Sequence, residues 1–208
     1  AACGKPSDPD EAVRAVLIAA EKAAETRDVG AAMDLVSKDF RDAEGNDREQ
    51  LQQFRRGIAP LAGRLLAVLI QLPPDFERST DNRRYLANLL DGLQGLPVAV
   101  EFRHASWAVD PVFAELERRA VSLVTVDAPP LPGLFPQLDV VTNPQLLYVR
   151  FHGRNSTGWR SGNMQKKFDY DYSAGELRQW CDRVLRPMAA RAERGIIFFN
   201  NHVRAQAP

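Results

Sequence analysis

The feature that most constrains the fold is a series of five short apolar runs that end in polar residues and are separated by longer stretches. The runs are 65–72, 97–103, 121–128, 146–153 and 195–202. Their Val, Ile, Leu and Phe content is typical of buried strands. Helical apolar spacing marks the stretches 81–93, 111–119 and 173–194. Strands that alternate with helices predict an α/β fold with a parallel sheet. In the last stretch, Ser173 and Glu176 have the spacing of a capping box.

The first 50 residues differ from the rest in charge and pattern. They contain 7 basic and 12 acidic residues, whereas residues 51–208 contain 20 basic and 15 acidic residues. Apolar spacing predicts helices over about 9–26 and 31–36, then a polar helix over about 49–54. We therefore predict a helical N-terminal segment, 1–50, and a separate domain, 57–208. The modest basic excess of that domain suits a small anion and does not imply nucleic-acid binding.

The start of the chain bears on localisation. Ala1-Ala2-Cys3-Gly4 resembles the end of a bacterial lipoprotein signal, whose cysteine becomes lipidated. No apolar run reaches the roughly 18–20 residues of a membrane span. Cys3 and Cys181 are the two cysteines, and they give neither a disulfide framework nor a metal-ligand spacing. We expect a cytoplasmic protein, with a lipoprotein anchored through Cys3 as the alternative.

Polar side chains gather at the ends of the predicted strands. The period of two in a strand places polar residues of three runs on one shared face: Glu101, Arg103, Thr125, Asp127, Tyr148, Arg150 and His152. Sites of parallel barrels and open α/β sheets lie at the carboxyl ends of the strands. The three histidines lie at such ends: His104, His152 and His202. We predict a pocket there, without a metal, because no local ligand spacing such as H-E-x-x-H is present.

The segment from Arg150 to Lys167, which begins within the fourth run, indicates the ligand class. It contains five cations and no acidic residue: Arg150, Arg154, Arg160, Lys166 and Lys167. Glycine-loop amides and arginine side chains both bind phosphate or carboxylate groups. A small anionic or phosphorylated ligand is therefore the simplest interpretation.

These observations define candidate roles. The catalytic candidates are Glu101 or Asp127 as general base and His152 and His202 as proton carriers. The ligand-binding candidates are Gln71, Arg103, His104, Arg150, Arg154, Asn155, Trp159, Arg160, Asn200 and Asn201. The alternatives are a structural ion pair between Glu101 and Arg103 or Arg150, and a packing role for Trp159. A hydrolase-like activity is a hypothesis without an assigned reaction, and the cofactor is unknown.

Several motifs resemble the DUF72 (YecE-like) family, in the family's order. Three follow predicted strands: QLPPDF at 71–76, VEFRHASW at 100–107 and YVRFHGR at 148–154. GWRSGNMQ at 158–165 and FFNNHVRAQAP at 198–208 resemble one subgroup. The resemblance, over about 57–208, implies a TIM-like barrel and aligns the five runs with strands four to eight. It therefore implies a partial (β/α) barrel of about five parallel strands, and it carries no established activity.

The N-terminal segment resembles another family. AAETRDV at 23–29 and MDLVSKDF at 33–40 are similar to the mature start of NTF2-like (SnoaL-like) bacterial lipoproteins, which implies a remnant of that domain. Five strands cannot close a barrel, so two sheet edges would expose unpaired backbone groups. We favour a chimera, and the alternative is a fragment that forms a homo-oligomer through those edges. A noncatalytic binding module and a nonfunctional fragment are the alternatives to an enzyme.

Overall fold

The computed structural model describes residues 48–161, 163–201, 203 and 206. The predicted helices over about 9–26 and 31–36, the NTF2-like stretches, Cys3 and His202 lie outside the described residues. The described chain forms two compact units. One contains residues 48–66 and Ser79–Pro97, and the other contains Ala67–Arg78 and the residues from Val98 onward.

The first unit is helical. It contains α1 (Arg48–Ile58), a 3-10 turn (Ala59–Arg64) and α2 (Thr80–Gly92). Helix α2 begins at an N-cap, because the Ser79 hydroxyl accepts a hydrogen bond from the amide of Asn82 at 3.1 Å. At its other end, Arg55 donates to the carbonyls of Gly92 at 2.9 Å and Gln94 at 3.1 Å. This arginine therefore satisfies carbonyls that the end of a helix leaves unpaired.

The second unit is built on five parallel strands. They are β1 (Val68–Gln71), β2 (Val98–Glu101), β3 (Ser122–Asp127), β4 (Leu147–Phe151) and β5 (Gly195–Phe199). Their order in the sheet is their order in the chain, and each neighbouring pair is parallel. Consecutive strands of a (β/α)8 barrel have this order, whereas a doubly wound sheet reverses it at a switch point. The predicted α/β class and partial TIM-like barrel are confirmed.

Short helices connect the strands of this unit. They are α3 (Asp110–Arg118), α4 (Ser156–Arg160), α5 (Met164–Phe168), α6 (Ala174–Trp180) and α7 (Arg186–Ala189). A π-helical stretch, Cys181–Leu185, joins α6 to α7. The predicted capping box of Ser173 and Glu176 is present at the start of α6. No helix in the described part of the chain is long and apolar enough to cross a membrane.

The two faces of the sheet have different partners. Leu147, Val149 and Phe151 of β4 pack with Trp180, Val184 and Met188 of the helical layer from α6 to α7. The other face, which we call the inner face, carries a second buried cluster of Ala99, Val124 and Tyr148. On β4 the observed alternation is the predicted one, because Arg150 lies one residue from Val149 and shares the face of Tyr148.

Strand β3 departs from the predicted alternation. Thr125 contacts the Met188 sulfur at 3.8 Å, and Asp127 is in register with Phe151, so both lie on the helix-facing side. The prediction that Asp127 shares a face with Glu101 is therefore wrong. The reason is that parallel strands are buried on both faces, and β3 also carries a polar residue, Ser122, on its inner face.

Candidate functional site

A buried carboxylate organises the inner face at the carboxyl ends of β2 and β4. Glu101, the last residue of β2, is completely buried. Its Oε1 accepts a hydrogen bond from Arg103 Nε at 2.8 Å and lies 3.0 Å from His152 Nε2. Its Oε2 accepts a hydrogen bond from Arg150 Nη1, which also donates to Gln71 Oε1 at 2.5 Å. The neighbouring strands thus place these five side chains in one cluster, which we call the Glu101 cluster.

Opposing effects set the charge of Glu101. Burial raises the pKa of this carboxyl, but the hydrogen bond with His152 and the positive charges of Arg103 and Arg150 outweigh burial and lower the pKa to about 2. Glu101 is therefore ionised at neutral pH. A carboxylate with this pKa is a weak base, and its hydrogen bonds orient Arg103, Arg150 and His152.

His152 is held in one tautomer. Burial lowers the pKa of His152, and the arginines Arg103 and Arg150 lower it further against the opposing effect of Glu101. A neutral imidazole beside an ionised carboxylate places its proton on Nε2, which donates to Glu101. The Nδ1 atom is then an acceptor, and it is buried without a hydrogen-bond partner among the described residues. A histidine oriented by a carboxylate, with its second nitrogen unpaired, has the arrangement of a proton acceptor in catalysis.

Helices α4 and α5 cover the Glu101 cluster. The ring of His152 lies 6.3 Å from the ring of Trp159 and 5.7 Å from that of Phe168. Arg103 stands 5.9 Å from the centre of the Trp159 ring, and Lys167 Nζ lies 3.8 Å from the same point. Burial lowers the pKa of Lys167 to about 8, with a further contribution from the charge of Arg103. Lys167 is therefore a third cation of the inner face.

The covering segment is held by Asn155 and a close backbone approach. Asn155 accepts from the amide of Gly158 at 2.9 Å and donates to the carbonyls of Lys166 at 3.0 Å and Asp169 at 3.1 Å. A Cβ on Gly158 would stand 2.0 Å from the Lys166 carbonyl oxygen, so α4 and α5 approach each other where only a hydrogen fits. Asn155, a predicted ligand-binding residue, thus has a structural role.

Asp127 belongs to a separate network on the helix-facing side. Arg154 grips its carboxylate with Nε at 2.9 Å and Nη2 at 2.8 Å, and the Tyr172 hydroxyl donates to it at 2.6 Å. Burial and the neighbouring carboxylate raise the pKa of Tyr172, so the hydroxyl keeps its proton. A carboxylate has about four acceptor positions, and a third Arg154 contact at 3.2 Å occupies what remains. Asp127 is therefore a positioning residue for Arg154 and Tyr172, and not a free base.

Among the other predicted residues, His104 and Asn201 make contacts outside the Glu101 cluster. His104 caps the 3-10 turn Ala105–Trp107 through its Nδ1 and lies 3.7 Å from Glu77. Arg160 is exposed on α4. Asn201 is buried and donates to the carbonyls of Tyr170 at 2.9 Å and Gln206 at 3.2 Å, while the backbone of Asn200 continues the pairing with β4. His202 lies outside the described residues.

Sequence reasoning did not single out Lys167 or Tyr172 as site residues. Both lie in the loop between β4 and α6, whose positions are set by contacts with distant residues. The basic composition of the loop was the available signal for Lys167, and the pair Tyr170 and Tyr172 gave none. Tyr172 binds Asp127 and Tyr170 binds Glu176.

The described residues show no metal centre. Nowhere among them do three His, Cys, Asp or Glu side chains group as metal ligands. The inner face instead groups three cations, Arg103, Arg150 and Lys167, with the imidazole of His152.

Comparisons with known proteins agree with the fold. The model of the family described as "Protein of unknown function DUF72" matches residues 31–208. UPF0759 protein YunF of Bacillus subtilis (strain 168) is 27% identical over 166 residues, which are 74% of this chain and 58% of that protein. The crystal structure of a DUF72 family protein from Thermotoga maritima is 35% identical with a TM-score of 0.71, and covers 76% of this chain and 60% of its own.

A second solved structure gives the same result over more of the chain. A DUF72 family protein from Enterococcus faecalis is 28% identical with a TM-score of 0.72, over 90% of this chain and 75% of that one. The chain spans less than two thirds of the length of YunF and of the Thermotoga protein. The family model matches most of the sequence, and the two solved structures share the architecture of this chain. The chain therefore belongs to the DUF72 family.

Proposed function

We propose that the Glu101 cluster is an enzyme site that binds a small anionic or phosphorylated ligand and transfers a proton through His152. The observation that carries this proposal is the buried Glu101 carboxylate, which Arg103, Arg150 and His152 all contact while His152 Nδ1 keeps no partner among the described residues. Buried polar atoms are normally paired in proteins. An unpaired acceptor beside several cations therefore fits a site that a ligand completes.

The charge balance supports an anion. Three cations surround one carboxylate on the inner face, since Lys167 adds to Arg103 and Arg150. Arg103 binds Glu101 through Nε, so that contact does not engage its terminal nitrogens, and Arg150 Nε is buried without a partner among the described residues. Guanidinium groups that retain free donors bind carboxylate and phosphate oxygens in pairs.

The division of roles follows from the pKa directions. His152 accepts a proton at Nδ1 from the ligand or a water, and the ionised Glu101 stabilises the resulting imidazolium through Nε2. The arginines and Lys167 stabilise negative charge that develops on the ligand when the proton leaves. This chemistry is general-base catalysis on an anionic substrate, and hydrolysis is one reaction of that class.

Binding of inorganic phosphate tests the site. We expect phosphate to raise the melting temperature of the full chain, because a ligand that binds only the folded state stabilises it. Arg103→Gln should reduce phosphate affinity at least about tenfold, since a charged hydrogen bond contributes roughly 1.5–3 kcal/mol. Arg84→Gln, which makes the same change at a side chain that is 70% exposed on α2, is the matched control. Equal phosphate affinity in both variants would overturn the proposal.

The role of His152 has its own readout. Phosphate bound beside the imidazole should raise the pKa of His152, because the anion offsets the arginines that depress it. Histidine NMR titrations with and without phosphate measure this shift, and His152→Gln assigns the signal. His104, which contacts Glu77 and Ser106, serves as the internal reference. A His152 signal that does not respond to phosphate would contradict a role in proton transfer.

A noncatalytic interaction module is the second candidate. The edge strand β5 carries Ile197, 43% exposed, and Phe198, 51% exposed. Within the described chain, β5 pairs with β4 alone. An apolar strand edge with unpaired backbone groups favours association with another strand, and a second copy of the chain is the partner that this candidate proposes.

A further inference from the structure

The carboxyl end of β3 opens into a cavity that the proposed proton transfer does not use. Its volume is about 790 Å³, within the roughly 300–1,000 Å³ that is usual for small-molecule sites. The wall comes from the β3–β4 loop between Ala128 and Gln137, which contributes four prolines. Asp127, Arg154 and Gln137 are the polar residues of the lining. The cavity is thus mainly apolar, with a polar floor.

The wall of this cavity is fixed in position. The Gly133 carbonyl accepts from the amide of Ala105 at 2.9 Å, and the amide of Phe135 donates to the carbonyl of Arg103 at 2.8 Å. His104 and Leu134 form an antiparallel bridge between the same two loops. Phe135 also stacks on Phe102 at a centroid distance of 5.7 Å. Prolines and these contacts make the cavity preformed, which lowers the entropic cost of binding.

The floor carries little net charge. Arg154 holds the Asp127 carboxylate with two nitrogens, so the charges of this pair offset each other. An isolated anion gains little from such a floor, whereas an uncharged apolar group gains from leaving water. The cavity and the Glu101 cluster therefore suit different parts of a ligand.

The sheet brings the two regions together. The order β2-β3-β4 places the end of β3 between the ends of its two neighbours. Arg103 follows β2 and His152 follows β4, so both flank the strand at whose end the cavity opens. Backbone hydrogen bonds connect both neighbours to the cavity. The amide of His152 donates to the carbonyl of Asp127 at 2.9 Å, and the carbonyl of Arg103 accepts from the amide of Phe135 in the cavity wall.

We infer that the ligand is an amphiphilic anion, whose charged group binds at the Glu101 cluster and whose apolar body, such as an aromatic ring, fills the cavity between Asp127 and the proline-rich loop. This inference rests on the proposed function for its charged end. Beyond the proposed function, it specifies the class of substrate, because inorganic phosphate alone would leave the cavity empty.

The affinity of the full chain for three probes tests this inference by calorimetry: inorganic phosphate, 1-naphthyl phosphate and the neutral 1-naphthol. We expect 1-naphthyl phosphate to bind roughly tenfold or more tightly than inorganic phosphate, as burial of an aromatic ring allows. Leu131→Gln, in the cavity wall, should bring the two dissociation constants toward each other. Leu138→Gln is the control, because it changes a half-buried leucine of the same loop that does not line the cavity. In this variant the ratio of the two dissociation constants should be the same as in the wild-type protein.

The outcomes separate this inference from the proposed function. If inorganic phosphate binds and 1-naphthyl phosphate binds no more tightly, the amphiphilic ligand is excluded and the anion site stands. If inorganic phosphate fails to bind and 1-naphthyl phosphate binds no better than 1-naphthol, both are overturned. The comparison between probes is made within one protein, so it does not depend on the folding of a variant.

Discussion

At the scale of single residues, the Glu101 carboxylate determines the electrostatics of the inner face. It is completely buried, and each of its oxygens accepts from a cation or from His152. A buried charge is tolerated only when partners compensate the loss of hydration. Its removal therefore affects both the stability of the fold and the orientation of His152.

The stability of the protein should depend on the ionisation of Glu101. The pKa of Glu101 is lowered to about 2 in the folded state, so its contribution is present above the ordinary pKa of the carboxyl and is lost as pH falls toward the lowered value. The contribution is roughly 3 kcal/mol. Urea unfolding between about pH 5 and pH 2 should therefore show a smaller loss of stability for Glu101→Gln than for the wild-type protein.

The matched control is Glu115→Gln on α3. The pKa of Glu115 is also lowered to about 2, through hydrogen bonds with Arg118 and Arg119, but this side chain is 45% exposed. Solvent screening reduces the contribution of such an ion pair to stability. Glu115→Gln should therefore change the dependence of the unfolding free energy on pH less than Glu101→Gln does. Equal pH slopes for the wild-type protein and Glu101→Gln would contradict the buried, ionised state of Glu101.

Lys167 should make anion binding depend on pH. Its pKa is lowered to about 8, so it is charged below that pH and neutral above. Sulfate does not titrate in this range, and we expect calorimetry to show its affinity fall as pH rises through about 8. Lys167→Met should weaken binding and flatten the profile, while Lys167→Arg should keep binding at higher pH. Lys166→Met, at an exposed neighbour, is the control; an unchanged profile in Lys167→Met would exclude Lys167 from the site.

At the scale of elements, the α4–α5 pair links the covering loop to the cations beneath it. Lys167 and Phe168 reach the inner face from α5, and Trp159 does so from α4. Both helices have five residues, too short to be stable alone in water. Their positions depend on Asn155 and on the contact at Gly158.

Gly158→Ala should disturb this pair. The new Cβ would lie 2.0 Å from the Lys166 carbonyl oxygen, which is backbone and cannot rotate away. We expect a loss of about 1–3 kcal/mol of stability and weaker sulfate binding, because the displaced backbone carries Lys167. Urea unfolding and sulfate titration measure the two effects.

Gly175→Ala on α6 is the control for this change. Its Cβ would meet no atom closer than 3.9 Å, and alanine is favoured over glycine in a helix by up to about 1 kcal/mol. It should be neutral or stabilising. If Gly158→Ala behaves like Gly175→Ala, the close approach of α4 and α5 is not as described.

The elements were more predictable from the sequence than the site was. Five apolar runs with polar ends indicated the strands, and Ser173 with Glu176 marked the start of α6 because capping chemistry is local. Glu101 and His152 were expected near each other from strand ends alone. The position of Asp127 was not predictable, because β3 is buried on both sides and its polar residues do not identify the inner face.

Some structural roles had a local signal that we interpreted as functional. Asn155 and His104 each precede a short helical turn and accept a backbone hydrogen bond there. Asparagine is a common N-cap, so Asn155 was recoverable from its place before Ser156. The pairing of Tyr172 with Asp127 joins residues 45 positions apart, and no local pattern specifies a contact of that range.

At the scale of the whole molecule, the described sheet has two edges. Strands β1 and β5 each pair on one side within the described part of the chain, while a TIM barrel closes with eight strands. Two of the relatives extend well beyond the length that this chain matches. The state of the β5 edge in solution is therefore a property to be measured on the protein itself.

We expect the β5 edge to mediate self-association of this chain. Phe198 lies on the inner face beside Tyr148, at a centroid distance of 5.9 Å, and is still 51% exposed. Its exposed ring and the unpaired backbone of an edge strand favour pairing with a second copy. Sedimentation velocity over a range of concentrations should show a dimer for the wild-type protein and a shift toward monomer for Phe198→Lys. Leu61→Lys, which alters a 46% exposed leucine in the 3-10 turn of the helical unit, should leave the distribution unchanged. A monomeric wild-type protein at every concentration, or equal effects of the two substitutions, would exclude the β5 edge as the interface, because only Phe198 lies in the strand that would pair.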